Sequence, residues 1–195
     1  MRSTRFTTAL ALASALALAP TLAACSTPQV DAPSASSPAN ASVSPADVMF
    51  VQMMIPHHEQ AVEMSTIMRD KEALPGEVRE LAQQIADEQE PEIAQMRAWL
   101  DDWGMPEMGG MGGHGGHGGM DGMLTDDQLD ELRAASGDEA VTLFLEQMIL
   151  HHEGAIDMAR DVIDDGQHPD VRELAEGMIA AQQAEIDIMT EWLAR

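Results

Sequence analysis

Cysteine is almost absent from this chain of 195 residues, which contains only Cys25. A single cysteine cannot form an internal disulfide, and it cannot build a thiolate zinc site or an iron–sulfur site. The fold must therefore depend on its core for stability. Any metal ligand must come from histidine, methionine, aspartate or glutamate.

Basic residues are also scarce. The sequence has 10 Lys and Arg against 34 Asp and Glu, a formal charge of −24 at neutral pH. Two of these ten, Arg2 and Arg5, lie in the N-terminal segment, whose removal would bring the charge to −26. Such a surface repels nucleic acid, which is bound through basic patches, and it attracts cations without selecting one metal. We therefore expect metal ions as partners and no nucleic acid, and the sequence does not identify a protein partner.

The N-terminus has the features of a targeting segment. Residues 1–24 combine a short basic start with an apolar run that is too short to span a membrane. The run ends in LAAC at residues 22–25, which resembles a lipobox, so we expect Cys25 to be acylated and to become the mature N-terminus. An ordinary secretory signal with an incidental cysteine is the alternative. Residues 25–44, rich in Ser, Pro and Ala, indicate a tether, and together these features predict an extracytoplasmic lipoprotein anchored to the cell membrane.

The rest of the chain contains an internal repeat. Residues 52–64 (QMMIPHHEQAVEM) recur as residues 146–158 (EQMILHHEGAIDM), and VRELA occurs at 78–82 and again at 171–175. Further matches link Glu92, Met96 and Trp99 with Glu185, Met189 and Trp192. Two halves with the same spaced features indicate duplication of one structural unit.

Capping signals predict two helices in each unit. Ser44 and Pro45 supply an N-cap and a first-turn proline, and proline-containing turns divide each unit near residues 75 and 169. Ser136 with Glu139 predicts a capping box for the second unit. Thr125-x-x-Gln128 predicts the cap of a short extra helix.

No stretch alternates apolar and polar residues for long enough to indicate a strand, and no Asn-Gly hairpin turn occurs. We therefore expect an all-α fold, a four-helix bundle made of two repeated helical hairpins. Its parts are repeat one at residues 45–103, a Gly/Met/His-rich loop at 104–123 and repeat two at 136–195.

Polar residues lie on the apolar faces of both predicted hairpins. At 100° per residue, the first helix of each unit places one histidine on its apolar stripe and a second at the edge, and the second helix places a glutamate on its stripe. These residues are His57, His58 and Glu92 in the first unit, and His151, His152 and Glu185 in the second. A buried imidazole or carboxylate without a partner is costly, so they must meet each other, a metal or water. Two His–Glu pairs that only specify the core are the alternative.

Methionine is abundant, with 16 residues. In a chain without tyrosine, part of it is expected to fill the core, namely Met64, Met68, Met158 and Met178. Better ligand candidates flank the histidine and glutamate positions in both repeats: Met54, Met96, Met148 and Met189. Thioether and imidazole together suit copper, especially Cu(I), among other soft or borderline metals.

The loop between the repeats sets methionine and histidine among glycines. We expect it to capture soft metal ions weakly and exchangeably, through Met111, His114, His117 and Met120. A plain glycine linker is the alternative. Because histidine takes up protons near pH 6.5 and thioethers do not titrate, we expect loop copper to resist acid better than bundle copper.

The paired segments at 57–61 (HHEQA) and 151–155 (HHEGA), each followed by a helix with an acidic residue and a tryptophan, resemble the ferritin-like family catalogued as domain of unknown function three hundred and five. The resemblance covers about residues 46–194. It implies a ferritin-like four-helix bundle, usually exported, with members implicated in periplasmic copper binding and copper tolerance. It implies functional roles for the four histidines of the two segments. The family's recurrent methionines match Met54, Met96, Met148 and Met189.

The leading hypothesis is a binding protein, not an enzyme, that buffers copper, confers tolerance to it or delivers it. A carboxylate-bridged di-iron oxidase is one alternative, but that class needs Glu-x-x-His motifs and this sequence has none. A metal-free helical interaction module with structural His–Glu pairs is the other alternative.

Overall fold

The computed structural model describes residues 42–108 and 120–195. Over these ranges the chain forms five helices and no strand: α1 (Pro45–Asp70), α2 (Gly76–Trp103), α3 (Asp126–Ala134), α4 (Gly137–Asp165) and α5 (Pro169–Leu193). The predicted signal peptide, Cys25, and the loop candidates Met111, His114 and His117 lie outside the described residues. The all-α prediction is confirmed, and α3 is the short extra helix.

Two of the predicted caps are present. The Ser44 hydroxyl accepts a hydrogen bond from the Asp47 amide, and the Asp47 carboxylate accepts one from the Ser44 amide, which satisfies two amides that the start of a helix leaves free. Thr125 and Gln128 form the same box at α3.

The capping box predicted at Ser136 is wrong. Ser136 is the N-cap of α4, but its side chain makes no capping hydrogen bond. The chain enters α4 through Gly137 in a left-handed conformation with φ of 57°, which only glycine adopts without strain. This turn takes the Ser136 hydroxyl away from the amides of the first turn.

The long helices pack as two hairpins. Helix α1 lies against α2 and α4 lies against α5, while α1 and α4 meet in the middle and join the hairpins into a four-helix bundle. The short helix α3 contacts both α1 and α4. Within the described ranges, no helix is both long enough and apolar enough to cross a membrane.

The core consists of two apolar clusters, one towards each end of the bundle. Phe50, Met54 and Met96 belong to one cluster together with Ala155 and Met178 from the second hairpin. The other cluster contains residues from the opposite halves of the same helices, among them Met64, Met68, Ile85, Phe144, Met148 and Met189. The histidine pairs of α1 and α4 therefore lie between the two clusters, near the middle of the bundle.

Asp47 joins the beginnings of α1 and α5. Besides its bond with Ser44, its carboxylate accepts hydrogen bonds from the backbone amides of Gln167 and His168, at 3.1 and 3.2 Å to Oδ2. Burial opposes the charge of this side chain, but the hydrogen bonds from Ser44, Gln167 and His168 outweigh it and lower the pKa of Asp47. A carboxylate from one hairpin thus caps a helix of the other.

Candidate metal centre

The four histidines of the repeated motif are completely buried, with no solvent exposure of His57, His58, His151 or His152. The sequence predicted His58 and His152 at the edge of the apolar stripe. Their full burial corrects that expectation, because a helix in a bundle contacts two neighbours and both of these contact faces are covered. The duplication therefore brings four imidazoles into the interior.

Two of the histidines meet the predicted glutamates within their own hairpins. His58 Nε2 lies 2.8 Å from Glu92 Oε2, and His152 Nε2 lies 2.7 Å from Glu185 Oε2. Because a carboxylate oxygen accepts, each imidazole donates its Nε2–H. This contact fixes the orientation of each imidazole ring. Nδ1 of each histidine is the ring nitrogen that does not contact the glutamate.

The two His–Glu pairs differ in their access to solvent. The Glu92 side chain is 23% exposed and the Glu185 side chain is 3% exposed. Glu92 also lines a groove of about 440 Å³ between α2 and α5, with Trp99, Asp170 and Glu173 among its other walls. The first pair therefore borders water, whereas the second is enclosed.

The remaining two histidines contact each other across the interface between the hairpins. The rings of His57 and His151 have centroids 3.8 Å apart and planes inclined at 40°. His57 Nε2 also lies 3.3 Å from the backbone oxygen of Asp121, a contact that the sequence did not predict. Neither nitrogen of His151 has a protein partner.

Imidazole nitrogens without a hydrogen-bond partner are concentrated in this part of the core. Nδ1 of His57, His58 and His152 is buried without a hydrogen-bond partner, in addition to both nitrogens of His151. Buried polar atoms are normally paired, so five unpaired imidazole nitrogens need an explanation. A bound metal ion is one explanation, since imidazole lone pairs are common ligands of copper and other transition metals.

Burial keeps the central histidines neutral. It lowers the pKa of His57 to about 3, with further lowering from His58 and His152 and a partly opposing hydrogen bond to Asp121. Burial and the neighbouring histidines also hold the pKa of His151 well below its usual value. Neutral imidazoles can donate a lone pair to a metal. The expectation that bundle histidines take up protons near pH 6.5 is therefore wrong for these two.

The candidate methionine ligands are buried as completely as the histidines. Met54 and Met96 belong to one core cluster and Met148 and Met189 to the other, so each repeat contributes two thioethers on its own side of the histidine group. Burial does not separate them from the methionines expected to fill the core, since Met64 and Met68 are equally enclosed. Met158 is only partly buried, and Met120, the one described loop candidate, is half-buried.

Carboxylates and imidazoles alone do not make a complete site. Among residues 42–108 and 120–195, no group of three or more His, Cys, Asp or Glu side chains is close enough to hold a metal ion. A site here would need thioether sulfur or amide oxygen as additional ligands.

Two buried glutamines add such amide oxygens. Gln89 and Gln182 are each 3% exposed, and the side-chain oxygen of each has no partner. They occupy matching positions three residues before Glu92 and Glu185. Their recurrence at matching positions of both repeats was a signal in the sequence for the same polar core.

Comparison with known proteins identifies the family. Residues 47–193 match the family model described as domain of unknown function, DUF305. A comparison with curated proteins gives no significant match.

Solved structures of similar proteins share the fold. A DUF305 protein from Streptomyces coelicolor, described as a candidate secreted protein, is 36% identical with a TM-score of 0.69, and the match covers 76% of this chain and 92% of that one. A DUF305 fragment from Deinococcus radiodurans is 33% identical, also with a TM-score of 0.69, over 78% of this chain and 98% of that one.

CopM in its Cu(II)-bound form is 36% identical to this chain with a TM-score of 0.66, and the match covers 75% of this chain and 94% of CopM. Structures of CopM with Cu(I) and with silver also match. Copper and silver binding therefore occur among proteins of this fold. The chain described here belongs to the DUF305 family.

Proposed function

We propose that this protein binds copper on the outer side of the cytoplasmic membrane, where it buffers the metal, confers tolerance to it or delivers it, and that it is not an enzyme. The similarity to CopM, solved with Cu(II), Cu(I) and silver, supports copper as the metal. The N-terminal segment ending in Cys25 supports an extracytoplasmic, lipid-anchored location, and the Streptomyces coelicolor relative described as a candidate secreted protein agrees with export.

The observation that carries this proposal is the group of buried histidines with unpaired nitrogens, placed between methionine-rich core clusters. Imidazole and thioether favour Cu(I) over oxygen-preferring ions. The ligand candidates in the bundle are Met54, His57, His58, Glu92, Met96, Met148, His151, His152, Glu185 and Met189. We propose Glu92 and Glu185 mainly as partners of the histidines, since a carboxylate on the second imidazole nitrogen orients a metal ligand.

A competition titration tests the proposal. Protein purified without a histidine tag is titrated with Cu(I) and Ag(I) against a chromogenic chelator, and separately with Mn²⁺. The proposal expects Cu(I) and Ag(I) to bind far more tightly than Mn²⁺, and it expects His57→Ala with His151→Ala to weaken Cu(I) binding by at least about tenfold. His168→Ala, at the start of α5, is the matched control. Equal Mn²⁺ binding, or unchanged Cu(I) binding in the double variant, contradicts the proposal.

A metal-free interaction module remains the second candidate, because one observation favours it. Glu92 and Glu185 each already accept a hydrogen bond from a buried histidine. The same arrangement is expected of His–Glu pairs that only stabilise the core. This candidate predicts no stoichiometric Cu(I) binding by the bundle, so the same titration distinguishes the two. The di-iron alternative has no comparable support, since the chain lacks Glu-x-x-His.

A further inference from the structure

The two copies of the motif differ at one position that faces the same piece of chain. In HHE-x-A the variable residue is Gln60 in the first repeat and Gly154 in the second. Both contact residues 121–124, the segment that leads from the loop into α3. The outer side of this segment borders a cleft of about 390 Å³ together with Gln147 and Glu153, so it stands between the histidines and the surface.

Gln60 holds the segment from the side of α1. Its side-chain nitrogen donates to the Leu124 carbonyl at 3.0 Å, and the Leu124 amide donates to its side-chain oxygen at 2.7 Å. One buried amide thus satisfies both backbone groups of Leu124. Glutamine is suited to this role because its side chain carries a donor and an acceptor together.

Gly154 and Gly122 let the segment lie directly on the backbone of α4. A Cβ on Gly154 would lie 2.6 Å from the carbonyl carbon of Asp121 and would overlap its oxygen. A Cβ on Gly122, which has φ of 84°, would lie 3.0 Å from the Cα of His151. Such backbone-to-backbone contact excludes any larger residue at either position.

This docking places the Asp121 carbonyl against His57. A carbonyl oxygen can only accept, so His57 Nε2 carries the proton of the 3.3 Å contact. In a neutral imidazole the other nitrogen, Nδ1, then holds the lone pair, and it is buried and unpaired. His58 and His152 are arranged alike, with Glu92 and Glu185 on their Nε2 atoms.

We propose that residues 121–124 belong to the metal centre as a positioning element. Gln60 and Gly154 seat the Asp121 carbonyl on His57, which fixes the tautomer that presents Nδ1 to the metal. Gln60 and Gly154 are thus positioning residues rather than ligands. The metal part of this inference rests on the proposed function, whereas the docking and the tautomer do not.

The test uses two helical glycines as a matched pair. Gly154→Ala would force the segment off α4, whereas Gly177→Ala in α5 adds a methyl group into open space, and both substitutions raise helix propensity equally. The tautomer of His57 is read from ¹⁵N NMR of the metal-free protein. We expect Nε2–H for His57 in the wild type and in Gly177→Ala, and a tautomer mixture in Gly154→Ala. An unchanged tautomer in Gly154→Ala overturns the inference.

Silver affinity gives the second readout. Loss of a hydrogen-bonding partner behind a metal ligand typically costs between about ten- and a hundredfold in affinity, so we expect Ag(I) binding to weaken by about tenfold in Gly154→Ala and to remain unchanged in Gly177→Ala. Equal affinity in the two variants overturns the role at the metal centre. If the wild type binds no Ag(I), the proposed function fails, and the NMR result still decides the positioning of His57. Gln60→Leu, which removes both bonds to Leu124, serves as the second variant if Gly154→Ala does not fold.

Discussion

The charge of His57 and His151 is coupled to folding. Burial lowers the pKa of His57 to about 3 and holds that of His151 well below its usual value, against 6.5 for an exposed histidine. As pH falls below 6.5 the unfolded chain takes up protons and the folded protein does not, so stability is full above pH 6.5 and is lost as pH falls towards 3. At about pH 5.5, one unit below the value for an exposed histidine, each of the two histidines lowers the free energy of unfolding by about 1.4 kcal/mol.

We therefore predict that the metal-free protein is less stable at about pH 5.5 than at about pH 7.5, by about 3 kcal/mol for the two histidines together. Urea unfolding at the two pH values measures this difference. Replacing His57 and His151 together by leucine should remove most of it, because leucine does not titrate in the unfolded chain. Equal stabilities of the wild type at both pH values would show that these imidazoles are not held neutral.

At the scale of the helices, the link between the hairpins depends on Asp47. Its carboxylate accepts bonds from Ser44, Gln167 and His168, and a hydrogen bond to a charged group contributes between about 1.5 and 3 kcal/mol. We predict that Asp47→Ala lowers the free energy of unfolding by about 3 kcal/mol. Because the pKa of Asp47 is lowered in the folded state, this stabilisation is present above pH 3.8 and is lost as pH falls further.

Asp138→Ala is the control for this change, since Asp138 also lies in the first turn of a helix but is exposed. Its effect on stability should stay within about 0.5 kcal/mol. Urea unfolding of the two variants compares them directly. If they lose the same stability, the Asp47 carboxylate does not join the hairpins.

We expect the loop between the repeats to make a separate contribution to Cu(I) binding. Replacing Met111, His114, His117 and Met120 by serine should remove weak Cu(I) binding and leave the tighter binding and the unfolding curve unchanged. We expect loop sites to be weaker because glycine-rich backbone loses the most conformational freedom when it becomes ordered. Cu(I) titration of this variant, followed to saturation, measures both the weak and the tighter binding. Loss of all binding would make the bundle only a scaffold for the loop.

At the scale of the whole molecule, the proposed lipid anchor at Cys25 would determine where the bundle acts. We predict that Cys25→Ser prevents acylation and moves the protein from the membrane fraction to the soluble fraction, because the lipid on Cys25 is the proposed anchor. Fractionation of cells that express each form, followed by immunoblotting, measures the change. A variant that stays in the membrane fraction as fully as the wild type contradicts the lipobox interpretation.

The sequence predicted the architecture well because both repeats carry the same signals. The positions of His57 and Glu92 within their helices, matched by His151 and Glu185, placed polar groups on the inner faces of two hairpins. Helix ends followed from local chemistry at Ser44 and similar caps. These features depend on periodicity and on neighbours in sequence, which a single chain displays directly.

Contacts between distant segments were not predictable in the same way. The bond from His57 to Asp121 joins residues 64 positions apart, and it depends on how closely two backbones approach at Gly154. The sequence showed glycine in place of Gln60 at that position, but it gave no partner for either residue. The very low pKa of His57 likewise follows from complete burial, which periodicity cannot measure.

X-ray absorption spectroscopy of the Cu(I)-loaded protein tests most directly the claim that copper is bound inside the bundle. The sample carries serine in place of Met111, His114, His117 and Met120, so that these four loop candidates cannot supply the ligands. We expect a first coordination shell containing both nitrogen and sulfur. The nitrogen contribution should be lost when alanine replaces His57, His58, His151 and His152. A shell of sulfur alone, or one that the histidine replacements leave unchanged, would contradict the claim.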